Sequence, residues 1–176
     1  RPRDVLQAAI CFDGTYFYTA QSDEFGNGII EKYDRDGNYI ESFQPSIHVR
    51  RYFGMAFDGA DFYTANHDSI IRRMNFETHE ILEEIVTPIK NINHIAYDEE
   101  RDAFYVGALN SIALVGKDGR VIEEETVLPD VLFAGSVYDP YFKEGPTLWI
   151  MDQSKTNNTA NGYTFAVLRR FDLKTK

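Results

Sequence analysis

The sequence predicts an all-β protein built from four repeats of four short antiparallel strands. The first observation is a phrase written twice, FDGTYFYTA starting at Phe12 and FDGADFYTA starting at Phe57. The second observation is that both halves of this phrase return twice in weaker form. One copy reads IAYDE from Ile95 and then AFYVG from Ala103, and the other reads SVYDP from Ser136 and then LWIMD from Leu148. The third is the alternation of apolar and polar residues after each copy, which is typical of half-buried strands. Self-similarity of this kind indicates a repeat architecture.

The segment after each copy predicts two further strands joined by a tight turn. Tyr33, Met74 and Val115 recur in it at intervals of 41 residues. Asp36-Gly37 and Asp118-Gly119 provide the turn chemistry, because glycine accepts the positive φ that such hairpins require. HEILEEI, from His79, has the composition of a helical turn, but its place in the repeat predicts an outer strand instead.

Four short strands in 40 to 45 residues are the period and strand count of a β-propeller blade. With its FDG phrase, its aromatic second strand and its Asp-Gly hairpin, the chain resembles the NHL-like and lactonase-like propellers. It lacks the Gly-His and Trp-Asp signature of WD40 blades and the paired glycines of kelch blades. The predicted fold is a single β-propeller domain, or a fragment of one, with blades at about 1–44, 45–87, 88–128 and 129–176.

The fourth repeat is expected to lack its outer strand. Phe171 matches Tyr33, which puts Lys176 at the turn before a fourth strand. An unpaired sheet edge and an unclosed set of blades expose groups that ring closure normally covers. We expect the remaining blades of a six- to eight-bladed ring, or a second copy, to complete the ring. An irregular four-bladed ring is the less favoured alternative.

Composition restricts the partners. The chain of 176 residues is 43% hydrophobic, enough for one core, and its net charge of -10 opposes binding to nucleic acid or an anionic membrane. Cys11 is the single cysteine, so neither an intrachain disulfide nor a cysteine-based zinc site is expected. No run of apolar residues has the length of a membrane span. The compartment stays open, with export to the cell envelope or beyond favoured over the cytoplasm.

Candidate binding residues lie in loops that a propeller gathers on one face. They join the second and third strands or lead into the inner strands. The candidates are His48, Arg50, Arg51, Asn66, His67, Asp68, His94, Asn110 and Asp152. Arg50-Arg51 can recognise a carboxylate or phosphate. The insertion from Gln153 to Thr164 is the most individual loop.

No catalytic constellation is visible in the sequence. It contains no GxSxG elbow, no Cys-His pairing and no HxH or HExxH spacing. The aspartates that follow the first-strand aromatics, Asp13, Asp58, Asp98 and Asp139, are expected to cap turns because they recur in every repeat.

We therefore expect a non-enzymatic module or scaffold that binds a protein, peptide or glycan through this loop face, without a cofactor. The alternative is a lactonase-like hydrolase or lyase. It would use a central divalent metal held by His48, His67 and His94 with Asp68 or Asp152.

Overall fold

The computed structural model describes residues 9–23, 25–45, 49–50, 52–108, 111–125, 133–152 and 167–172. These residues form a succession of short strands. The strands are β1 (Ala9–Phe12), β2 (Phe17–Ser22), β3 (Gly28–Tyr33), β4 (Tyr39–Phe43), β5 (Gly54–Phe57), β6 (Phe62–Ala65), β7 (Ile70–Asn75), β8 (Glu80–Val86), β9 (His94–Asp98), β10 (Ala103–Ala108), β11 (Ser111–Gly116), β12 (Val121–Glu125), β13 (Phe133–Asp139), β14 (Thr147–Asp152) and β15 (Val167–Asp172).

The strands form four antiparallel sheets in chain order. Sheet 1 contains β1 to β4, sheet 2 β5 to β8, sheet 3 β9 to β12, and sheet 4 the three strands β13 to β15 within the described residues. Within each sheet, consecutive strands of the chain pair with each other. The prediction of an all-β chain with four antiparallel sheets is confirmed, whereas the blade boundaries stay a prediction. In the described part of the chain we find no helix with the length and hydropathy of a membrane-spanning segment.

The hairpin between the third and fourth strands follows the predicted turn chemistry. Gly37 and Gly119 have φ values of 81° and 82°, which favour glycine. The segment that resembled a helix by composition is the outer strand β8. Its position in the repeat therefore outweighs its local helical propensity, as predicted.

The recurring aspartates cap the turns that follow the inner strands. Asp13 accepts hydrogen bonds from the amides of Thr15 and Tyr16, both at 2.7 Å. Asp58 accepts them from Ala60 and Asp61 at 2.9 and 2.8 Å. Asp98 and Asp139 likewise each accept an amide two residues on. The predicted capping role is confirmed for all four.

Apolar clusters join each sheet to the next. One joins sheets 1 and 2 around Tyr18, Phe62 and Phe76, another joins sheets 2 and 3, and a third joins sheets 3 and 4 around Tyr105 and Leu148. The inner strands β1, β5, β9 and β13 lie side by side in that order, and together they border an open cleft. No comparable packing joins β13 back to β1 among the described residues, so the four sheets do not close.

One face of each terminal sheet is consequently left uncovered. Ile10 and Phe12 of sheet 1 are 66% and 40% exposed, whereas Cys11 between them packs against the cluster that joins sheets 1 and 2. Val137, Met151 and Leu168 of sheet 4 are 58%, 43% and 66% exposed, whereas the neighbouring residues Tyr138 and Ile150 pack in the cluster that joins sheets 3 and 4. We call these surfaces the end face of sheet 1 and the end face of sheet 4.

The fourth repeat is offset by one residue from its expected alignment. Phe12 pairs with Phe17, Phe57 with Phe62 and Tyr97 with Phe104, whereas Tyr138 pairs with Leu148. Trp149 therefore takes the place of Tyr18, Tyr63 and Tyr105. The alignment of LWIMD with YFYTA was wrong by one position, because the connection from β13 to β14 is longer than its counterparts.

Candidate functional site

The four inner strands border a cleft with a volume of about 360 Å³. Its lining is largely aliphatic and aromatic, and the described lining residues include no charged side chain. The lining comprises Ala9, Ile10, Phe53, Gly54, Met55, His94, Ile95, Gly135, Ser136, Val137, Trp149, Met151 and Leu168. A concave apolar surface with a few converging polar groups is the usual form of a small-ligand site.

The polar part of this lining is a contact between two inner strands. His94 begins β9, and its Nδ1 lies 2.5 Å from the hydroxyl oxygen of Ser136 on β13. The imidazole is only 1% exposed, and burial lowers the pKa of His94 to about 3. The ring is therefore neutral near pH 7, so it acts as a hydrogen-bonding group and not as a cation. Which of the two groups donates depends on the histidine tautomer.

His94 and Ser136 both depart from the repeat. The ladder places His94 where other repeats carry Ala9, Gly54 and Gly135, and Ser136 where they carry Ile10, Met55 and Ile95. A polar pair thus replaces small and apolar residues at the boundary between sheets 3 and 4.

A third departure makes room for this pair. Gly107 faces His94 across the ladder, where two other repeats carry Ala20 and Ala65. A Cβ atom on Gly107 would overlap the imidazole ring. Sequence reasoning missed Ser136 and Gly107. The signal that could have revealed them was the loss of the repeat's own residue at three positions that meet in space.

Asp152 lies near this boundary and not on an exposed loop. It ends β14, two residues after Ile150, whose side chain packs between sheets 3 and 4. Its side chain is fully buried. The expectation that Asp152 belongs to an open loop face was therefore wrong, since the strand extends through it.

Asn66 and Asp68 were predicted as surface binding groups, but they bind a neighbouring arginine. The buried Arg72 guanidinium donates to Asn66 Oδ1 at 3.1 Å, to Asp68 Oδ2 at 2.8 Å and to Glu84 Oε1 at 3.0 Å. These bonds fix the loop between β6 and β7. Their first role is structural, because moving either side chain towards a ligand would leave a buried cation less satisfied.

His67 and Arg50 remain on the surface. The His67 ring stacks on Phe53 with centroids 3.7 Å apart, and Phe53 lines the cleft. The Arg50 side chain is exposed, while its carbonyl accepts a hydrogen bond from Asn66 Nδ2 at 3.3 Å. Of the predicted residues, His67 and His94 are thus the ones associated with the cleft. His48, Arg51, Asn110 and the insertion from Gln153 to Thr164 lie outside the described residues.

The described residues contain no group of three or more His, Cys, Asp or Glu placed to hold a metal ion. His94 is in contact with Ser136, and His67 is stacked on Phe53. The alternative of a metal-dependent hydrolase or lyase stays a prediction.

Cys11 packs beside the cluster between sheets 1 and 2, and burial raises the pKa of its thiol to about 12, as expected of a small apolar residue.

Two solved structures are similar to the chain over nearly its whole length. The glutaminyl cyclase of Myxococcus xanthus has a TM-score of 0.70 at 10% identity, covering 98% of this chain and 76% of that chain. The hydrazine synthase of Kuenenia stuttgartiensis has a TM-score of 0.59 at 16% identity, covering 97% of this chain and 47% of that chain. No protein-family model matches the sequence, and no curated protein matches it.

At such low identity the likeness concerns the fold alone, and it supports a propeller-like fold for this chain. The finer resemblance to NHL-like or lactonase-like blades stays a prediction. Both similar proteins are named for enzymatic activities, so they do not support the expectation of a non-enzymatic module.

Proposed function

We propose that this chain binds the uncharged, largely apolar group of a ligand in the cleft between its inner strands. The observation that carries the proposal is the combination of apolar walls with one neutral polar pair, His94 and Ser136. The walls provide burial, at about 25 cal/mol for each Å² of apolar surface removed from water. The polar pair provides direction, because it can exchange hydrogen bonds with an amide or hydroxyl of the ligand.

A peptide or protein partner that inserts an apolar side chain fits this cleft better than a glycan. Sugar hydroxyls need several polar partners when they are buried, and the described lining offers His94 and Ser136. The net charge of -10 also favours neutral or basic partners over acidic ones. The predicted polar loop face contributes less, since Asn66 and Asp68 are engaged by Arg72.

Titration with Nile red, an uncharged apolar dye, tests the cleft. Trp149 is the only tryptophan and lines it, so its emission reports on occupancy directly. We expect saturable dye binding with quenching of Trp149. Gly135→Leu should fill the cleft, because a Cβ on Gly135 meets only Met151 Cε, at 3.9 Å. The expected loss of affinity is roughly tenfold, or about 1.4 kcal/mol.

Ala60→Leu, which adds the same side chain at an exposed turn, is the matched control and should bind the dye normally. N-acetyl-leucinamide should compete with the dye, whereas N-acetyl-lysinamide should not, because an ammonium is too costly to bury in an uncharged cleft. Dye binding that persists unchanged in Gly135→Leu would place the dye elsewhere and refute the proposal.

A further inference from the structure

The two end faces carry the same kinds of residue that join the sheets elsewhere in the chain. At the boundary between sheets 2 and 3, Lys117 in the turn after β11 reaches back to sheet 2. Its ammonium lies 2.8 Å from Asp58 Oδ2 and 5.7 Å from the centroid of Tyr63. At the boundary between sheets 1 and 2, Phe76 in the turn after β7 reaches back in the same way, with its ring 5.1 Å from Tyr18.

The ladder register shows that Arg35 occupies this same position in sheet 1. Tyr33, Met74 and Val115 pair with Phe17, Phe62 and Phe104, respectively. Arg35, Phe76 and Lys117 each follow two residues later. In the two internal cases that residue contacts the preceding sheet. Sheet 1 has no preceding sheet among the described residues, so its cation faces outward.

Arg35 is held in place on the end face of sheet 1. Its guanidinium lies 5.4 Å from the centroid of the Phe12 ring and donates a hydrogen bond to the carbonyl of Gly14. Lys117 is supported similarly, since its ammonium lies 5.1 Å from the Tyr97 ring and Tyr97 matches Phe12 in the ladder. The side chain of Arg35 is exposed.

Sheet 4 presents the matching acceptor. Asp139 follows the Tyr138–Leu148 pair as Asp58 follows the Phe57–Phe62 pair, and Trp149 takes the place of Tyr63. Trp149 Nε1 donates to Asp139 Oδ2 at 3.4 Å, as the Tyr63 hydroxyl donates to Asp58 Oδ2 at 2.9 Å. Asp139 and Trp149 therefore reproduce the acceptor half of the Lys117 site without the cation of a following sheet.

We propose that the end face of sheet 4 docks head to tail on the end face of sheet 1 in a second copy of this chain. The partner's Arg35 would bind Asp139 and stack on Trp149, while Ile10 and Phe12 cover Met151 and Leu168. The interface uses two different surfaces, so it is heterologous and forms either a closed ring or an open chain. Ile10, Val137, Met151 and Leu168 belong both to these end faces and to the cleft lining, so docking would also bury part of the cleft wall. The docking itself does not depend on ligand binding in the cleft.

Sedimentation equilibrium of the 176-residue chain over a wide concentration range tests this docking. We expect association beyond a single chain. Arg35→Glu and Asp139→Arg each place like charges opposite each other, so each should weaken association roughly tenfold or more. Arg120→Glu, at an exposed turn arginine, is the matched charge-reversal control and should associate normally. Urea unfolding of each variant shows whether the fold is kept.

The decisive experiment mixes the two charge-reversal variants. Equimolar Arg35→Glu and Asp139→Arg chains present only opposite charges across the heterologous contacts, so the mixture should recover association, as should the double variant. A single-chain mass at every concentration would overturn the proposal and mean that something else covers these faces. Association that ignores both reversals, or that the mixture does not recover, would overturn it as well.

Discussion

The ammonium of Lys117 lies 2.8 Å from Asp58 Oδ2, across the boundary between sheets 2 and 3. It also lies 2.6 Å from Asp102 Oδ1. Burial alone would raise the pKa of Asp58, but hydrogen bonds from the Asp61 amide and from Lys117 more than offset it and lower that pKa to about 2. The cation thus joins two sheets at a point where one carboxylate has little access to water.

Replacement of Lys117 by methionine should destabilise the fold. The apolar stem would remain, but Asp58 would keep a largely buried charge with one hydrogen bond fewer. We expect the free energy of unfolding to fall by about 1 to 2 kcal/mol. Urea denaturation followed by circular dichroism measures the change. Lys90→Met, at an exposed lysine, is the control, and an equal effect of the two substitutions would show that the bridge contributes nothing.

Gly107→Ala should disturb the cleft through His94. The added methyl group would overlap the imidazole ring, so the ring or the strand must move, at a cost of about 1 to 3 kcal/mol. In a His94→Ala background the same methyl group has room, and its cost should largely disappear. A double-mutant cycle of unfolding free energies measures this coupling.

Gly135→Ala is the control, because it adds the same methyl group to a glycine of another strand, β13. Its Cβ would meet only Met151 Cε, at 3.9 Å, so it should cost less than Gly107→Ala. Additive effects of Gly107→Ala and His94→Ala would contradict the close packing of these two residues.

The repeated aromatic-Asp-Gly phrases allowed the strand order and hairpins to be predicted, because local turn chemistry and alternation encode them. The one-residue offset at Leu148 could not be predicted, since the length of the β13–β14 connection determines it. The hydrogen bonds from Arg72 to Asn66 and Asp68 could not be predicted either, because they depend on how the loop folds back on strand β7. Only part of the site at His94 could be predicted. A histidine is a candidate binding residue by its chemistry, whereas Ser136 and Gly107 are common residue types in strands.

The stability of the fold should fall between about pH 6.5 and pH 3 because of His94. Burial lowers its pKa in the folded state to about 3, whereas an unfolded histidine titrates near 6.5. Between these values the unfolded chain binds a proton that the folded chain does not, so acid favours unfolding by up to about 1.4 kcal/mol per pH unit. His94→Asn should remove this part of the slope in urea denaturation from pH 7 to 4.5, a range above the titration of Asp58. His67→Asn, at an exposed histidine, is the matched control. A slope in His94→Asn equal to that of the parent chain would show that the imidazole is not enclosed in solution.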